Sequence, residues 1–231
     1  MMKKRLWSRW ILALAVVWPF MAAAHDRVRE KENFDFDWKF ILNADDQANA
    51  GMQVSETGWQ DVQLPHDWSI SQNFDPKLSG SNGHLPGGIG WYRKMFRVDK
   101  KDKGRRIAVL FDGIYSRSDV YVNGQHLGFR PYGFCYQEYD LTPYLNYGAE
   151  NVLAVRVNNP LEHDSVARWY TGAGIYRHAW LVKTAEVHVA SYGTYVTTPV
   201  VTAERAEVRV RTSVANEAER TKTLSVRQQI T

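Results

Sequence analysis

The chain has 231 residues, 29 basic and 25 acidic, 44% hydrophobic, with one cysteine. That length suffices for one full hydrophobic core and part of a second, and a single thiol excludes an internal disulfide framework. The basic surplus (Lys3, Lys4, Arg5, Arg9, with no acid) lies wholly within the first 24 residues; the remaining 25 basic and 25 acidic residues balance, which excludes the fixed positive surplus of a nucleic-acid binder.

Residues 1–24 read as an export signal: basic MMKKRLWSRW, apolar ILALAVVWPFMA, then Ala22-Ala23-Ala24 with cleavage before His25. The apolar run, roughly a dozen residues, is short of the ~20 that span a bilayer. A periplasmic or secreted protein with no membrane association after cleavage is expected.

The rest is short strands broken by turns, with no sustained helical period, which predicts an all-β sandwich. In LPHDW, His66 and Asp67 form a polar pair after a proline; with no identifiable serine partner they read as a rigid turn. SGSNGHLPGGIGW is glycine-rich but lacks a Lys-Ser/Thr ending, so it reads as a flexible surface loop and not a phosphate loop. Asp102 to Arg106 reads as a solvated, charged hairpin tip, and Arg106–Phe111 (RIAVLF) as a strand. In SDVYVNGQHLG, Val120 and Val122 alternate with Tyr121, and Asn123-Gly124 is the signal of a type I′ hairpin, whose two turn residues need positive φ. Cys135, among aromatics in GFCYQEY, reads as a buried inert thiol.

LTPYL (Leu141–Leu145) reads as a short helical turn and NVLAVRVNNP (Asn151–Pro160) as a strand. In SVARWYTGAGIYRHAWL, Gly172 and Gly174 suit a tight bend or bulge before a strand in IYRHAWLVKT. No helix follows to make a dinucleotide loop. Arg168, Trp169 and Tyr170 supply aromatic faces beside a fixed charge, the set that a sugar's CH faces and hydroxyls require.

Composition shifts near Lys183–Val187, with no Trp beyond. In AEVRVRTSVANEAER, Val208, Val210, Thr212 and Val214 would face a core and Arg209 and Arg211 water. Asn216-Glu217 reads as a hairpin tip and TKTLSVRQQIT as the start of another strand. Three or four strands after Val187 fall short of the roughly seven of an immunoglobulin-type sandwich, so the second unit reads as incomplete.

Several segments in fixed order resemble glycoside hydrolase family 2. NFDFDWKF (Asn33–Phe40) is similar to the family's opening strand, WQDVQLPHDWSI (Trp59–Ile70) to its Pro-His-Asp-Trp segment, and GGIGWYRKMFRV (Gly87–Val98) to its Gly-x-x-Trp-Tyr-Arg strand. VYVNG, YDLTPYL, NVLAVRV and ARWYTGAGIYRHAWL follow in the family's order. The resemblance spans about Asn33 to Thr231 and lies nearest exported β-galactosidases of the Bacteroides type. It implies a jelly-roll sandwich over 25–185, part of an immunoglobulin-like sandwich over 186–231, and a catalytic barrel absent from this sequence. It also implies retaining hydrolysis of a terminal β-glycoside by two barrel carboxylates, no catalytic residue in this chain, a β-galactoside-type glycan as ligand once a barrel is joined, and room for a homo-oligomer of the full enzyme.

In some members the segment around Trp169 touches the sugar through an Asp where this chain has Arg168; Asp164 lies four residues earlier. The tentative substrate-binding set is therefore Arg168, Trp169, Tyr170 and Asp164. The alternative is that Trp169 and Tyr170 pack on other domains, with Arg168 paired to an acid there. No cofactor is expected, and no metal, since no carboxylates cluster with recognisable spacing. A free-standing carbohydrate-binding module and a purely structural sandwich are the competing functions, because sandwiches host many.

Overall fold

The computed structural model describes residues 29–42, 45–160 and 169–229. The expected export signal, Asp164 and Arg168 lie outside the described residues.

The described chain is all-β: β1 (Glu30–Asn33), β2 (Trp38–Leu42), β3 (Gln60–Val62), β4 (Gly88–Arg97), β5 (Arg106–Phe111), β6 (Ser118–Val122), β7 (Gln125–Arg130), β8 (Gln137–Asp140), β9 (Glu150–Asn159), β10 (Ala179–Thr184), β11 (Val187–Val201) and β12 (Ala206–Asn216). The first ten make a two-sheet sandwich. One sheet has the order β3-β2-β4-β9-β6-β7, the other β1-β10-β5-β8, and β11-β12 form a separate ribbon. The Asn123-Gly124 turn has φ of 51° and 83°, as its hairpin requires, and Leu141–Leu145 holds a 3-10 turn at Thr142–Tyr144.

Aromatic residues fill the space between the sheets. Trp38, Phe40, Tyr92, Phe111 and Ile175 are buried there with Val109, Val120, Val155 and Leu181. Trp38 packs edge-on to Tyr92 at 6.4 Å and donates its indole N–H to the Phe34 carbonyl at 2.7 Å. A buried indole or phenol needs such a partner. β4 is buried on both faces, which is why it reads as a nearly unbroken run and not as alternation. Its outward residues Trp91 and Arg93 are covered by a 3-10 turn at Gln47–Ala50, whose carbonyls at Asn49 and Gly51 accept from the Arg93 guanidinium at 2.6 and 2.7 Å.

Several expectations are corrected. NFDFDWKF is not one strand: it closes β1, bends at Asp37 (φ 57°) and opens β2. The Asp102–Arg106 stretch is solvated only at Lys103 and Gly104. Asp102 and Arg105 are buried and paired at 3.2 Å, Lys183 reaches Asp102 at 3.2 Å, and Glu30 and Glu32 complete the network on Arg105 and Lys183. Burial pulls the Lys183 ammonium down, but hydrogen bonds to Glu32 and Asp102 outweigh it and hold the group above its ordinary value.

After Val187 the described residues hold two strands, not three or four, and 221–229 form none. Thr212 pairs with Thr194, Val210 with Val196 and Val214 with Val189, while Val208 is exposed. Asn216-Glu217 is the base of this ribbon and not its tip. The Glu217 N–H donates to the Glu186 carbonyl at 3.0 Å, and its carboxylate meets Arg106 at 3.1 Å. Cys135 is only partly buried.

Asp102 is the carboxylate shared by the buried Arg105 and the partly buried Lys183. Its replacement by Ala leaves both short of a partner, so Asp102→Ala is expected to cost about 3 kcal/mol in urea unfolding, whereas a solvated tip would cost nearly nothing.

Candidate sugar-binding rim

The local structure at the rim starts from backbone pairing. The Pro-His-Asp-Trp turn runs beside residues 173–175: the His66 N–H donates to the Ile175 carbonyl at 2.8 Å and the Trp68 N–H to the Ala173 carbonyl at 3.1 Å. On its other side Gly174 forms a bridge with Tyr115, exchanging bonds of 2.8 and 2.9 Å. A Cβ at Gly174 (φ 121°) would sit 2.7 Å from the His66 carbonyl oxygen and closer still to the Tyr92 hydroxyl. Gly172 (φ 74°) is as constrained, with an added Cβ 2.8 Å from Asp67 Oδ2. The two glycines therefore mark close approach at a bend, as their spacing suggested.

Asp67 is the hub. Its Oδ1 accepts from the N–H groups of Ser69 and Ala173, each at 3.0 Å, and its Oδ2 from the Tyr170 hydroxyl at 2.5 Å. Burial, then the bond to Asp67 and its charge, push the Tyr170 phenol far above its ordinary range, so it remains a proton donor. The 79–87 segment is fastened to the same place and is not a loose loop. Ser69 Oγ donates to the Pro86 carbonyl at 2.7 Å, the Trp68 indole to the Gly87 carbonyl at 3.3 Å, and Thr171 Oγ1 to Asn82 Oδ1 at 3.4 Å. Asn159 closes the rim by donating to the Gly172 carbonyl at 3.3 Å.

Of the four residues singled out from sequence, the structure places Trp169 and Tyr170 together at this rim, 61% and 39% exposed; Arg168 and Asp164 are outside the described residues. Sequence reasoning missed Asp67 as the partner of Tyr170, and missed Thr171, Asn82 and Asn159. The available signal was an acidic residue in a proline-stiffened turn opposite two glycines that cannot carry side chains.

The rim offers aromatic surface, amide and hydroxyl groups, and no nucleophile with its base. His66 Nδ1 is engaged with the Tyr92 hydroxyl at 2.8 Å, and Ser69 Oγ with Pro86. Among the described residues no group of three His, Cys, Asp or Glu side chains could hold a metal ion, and no helix is long and apolar enough to cross a membrane.

The fold and the rim together define a two-sheet antiparallel β-sandwich with aromatic and polar groups gathered at one rim. The family follows from comparison: residues 32–185 match "Glycosyl hydrolases family 2, sugar binding domain", and the chain belongs to glycosyl hydrolase family 2. It is 46% identical over 201 residues to a β-galactosidase of Bacteroides ovatus, covering 86% of this chain and 23% of that protein. It is 33% identical over 229 residues to a β-glucuronidase of Formosa agariphila, covering 87% and 23%. A solved glycosyl hydrolase family 2 member from Bacteroides cellulosilyticus superposes with a TM-score of 0.70 at 43% identity, covering 81% of this chain and 25% of that one. The chain thus spans about a quarter of the length of the relatives it matches.

Two outcomes follow for the rim. Gly174→Ala is expected to destabilise by at least about 2 kcal/mol in urea unfolding, because the Tyr92 hydroxyl and the His66 backbone cannot both recede. Burial pulls the His66 imidazole below its ordinary value, against the weaker opposing charge of Asp67. The unfolded chain then takes up its proton first as pH falls through about 6.5, so the His66 contribution is full above that pH and is lost below it. In unfolding curves between pH 7 and 5, His66→Gln should flatten the loss of stability.

Proposed function

We propose that this chain is the non-catalytic sugar-binding part of an exported glycoside hydrolase that removes terminal β-glycosides, β-galactosides first among them. The observation that carries the reading is the family match over residues 32–185, and the choice of galactoside rests on the relative at 46% identity being a β-galactosidase. Export rests on the basic, apolar and small-residue order of residues 1–24. Retaining hydrolysis needs two carboxylates about 5–5.5 Å apart, one of them able to give and take a proton. The acid at this rim, Asp67, is committed to three donors, which supports a positioning and not a catalytic role for it. Trp169 and Tyr170 form one edge of the sugar pocket, and β11-β12 open an immunoglobulin-like sandwich.

The purified 231-residue chain is expected to release no nitrophenol from nitrophenyl β-galactoside above the buffer rate; turnover removed by His66→Gln or Asp67→Asn would overturn the non-catalytic assignment. Sequencing the gene past the codon for Thr231 tests the rest. A frame that continues to two strand-end glutamates supports an enzyme, and an immediate stop codon overturns it in favour of a free-standing carbohydrate-binding module.

A further inference from the structure

β7 and β8 are the last strands of the two sheets on one side of the sandwich, so one long edge of each has no ladder partner. Between them lies a groove of about 400 Å³, within the range of about 300–1,000 Å³ that small-ligand clefts occupy. A bulge opens it. Val120 pairs with Gly128 but Tyr121 with His126, leaving Leu127 as the extra residue. Gly128 then faces Tyr139, whose ring would lie 3.3 Å from an added Cβ. The missing side chain leaves Tyr139 as a lining residue, with its hydroxyl fixed by donation to Gln137 at 3.0 Å.

The other lining groups define the ligand. Phe129 and Tyr144 are exposed aromatics at the groove, surfaces suited to the CH face of a pyranose ring. Glu138 pairs with Arg106 at 2.7 Å, an arginine that also meets Glu217 at 3.1 Å, and Asp140 offsets Arg130. A groove with aromatic surface, unpaired backbone edges and no surplus of cations suits a neutral, hydroxyl-rich ligand and not an anion.

We propose that the β7–β8 groove is a binding site for a neutral pyranoside. The inference shares its ligand class with the carbohydrate reading above, but its test reads binding by this chain alone and does not depend on whether a catalytic domain follows. The 231-residue chain, labelled with ¹⁵N, is titrated with methyl β-galactoside and separately with methyl β-glucuronide. The galactoside is expected to shift the amides of Gly128, Phe129 and Tyr139 with a dissociation constant on the order of millimolar. Phe129→Ala and Tyr144→Ala should each weaken it about threefold to tenfold, while Tyr195→Ala, at an exposed position on β11, leaves it unchanged. No shifts in the groove, indifference to both groove variants, or tighter binding of the glucuronide would each overturn the assignment.

Discussion

The candidate rim depends on one close approach. At Gly174 the chain passes between the Tyr115 backbone and the Pro-His-Asp-Trp turn, with the Tyr92 hydroxyl against the same carbon. That contact joins the loop before β6, the turn after β3 and the core face of β4. Any side chain there would force the three apart. The bond from Ala173 to Asp67, and through it the position of Tyr170, rests on that spacing. A glycine with no chemistry of its own therefore sets the geometry of a polar rim, because it removes the steric cost of bringing backbone to backbone.

Much of the fold was legible because local chemistry and global structure agree along most of the sandwich. The limits of β5 and the turn residues of the β6–β7 hairpin match the pattern directly, since alternation and positive-φ turn residues are local properties. What was not legible depends on distant partners. Nothing in KDKGRR says that Lys183, some eighty residues later, and Glu32, some seventy residues earlier, will come to bury Asp102 and Arg105. A charge run is ordinarily a solvated tip, and here strand pairing between β1, β10 and β5 carries the complementary charges to it.

The rim was half legible for the same reason. Trp169, Tyr170 and the two glycines stand out by residue type and spacing. Asp67 does not, because its role exists only once the 66–68 and 173–175 backbones are paired. Thr171, Asn82 and Asn159 are ordinary polar residues in sequence and become rim components through hydrogen bonds to one another's segments. The β7–β8 groove left a still weaker trace. Gly128 reads as one more glycine in a strand, and its meaning comes from the bulge and from Tyr139 beneath it.

The sheet edges show where the chain tolerates exposure and where it does not. β1 is charged along its length, with Glu32 on Lys183 and Lys31 over Trp180; β3 is three residues long, with Asp61 on Lys39. Both devices blunt an edge against pairing with another chain. β7 is blunted by its bulge, which twists the strand and opens the groove in the same step. The β11-β12 ribbon differs. Its alternation suits a covered face, yet Tyr195, Val196 and Val201 are exposed, and a two-stranded hairpin alone is marginal in water. The bond from Glu217 to Glu186 and the ion pair from Glu217 to Arg106 fasten its base to the sandwich. Order at the ribbon's base is thereby coupled to the sandwich.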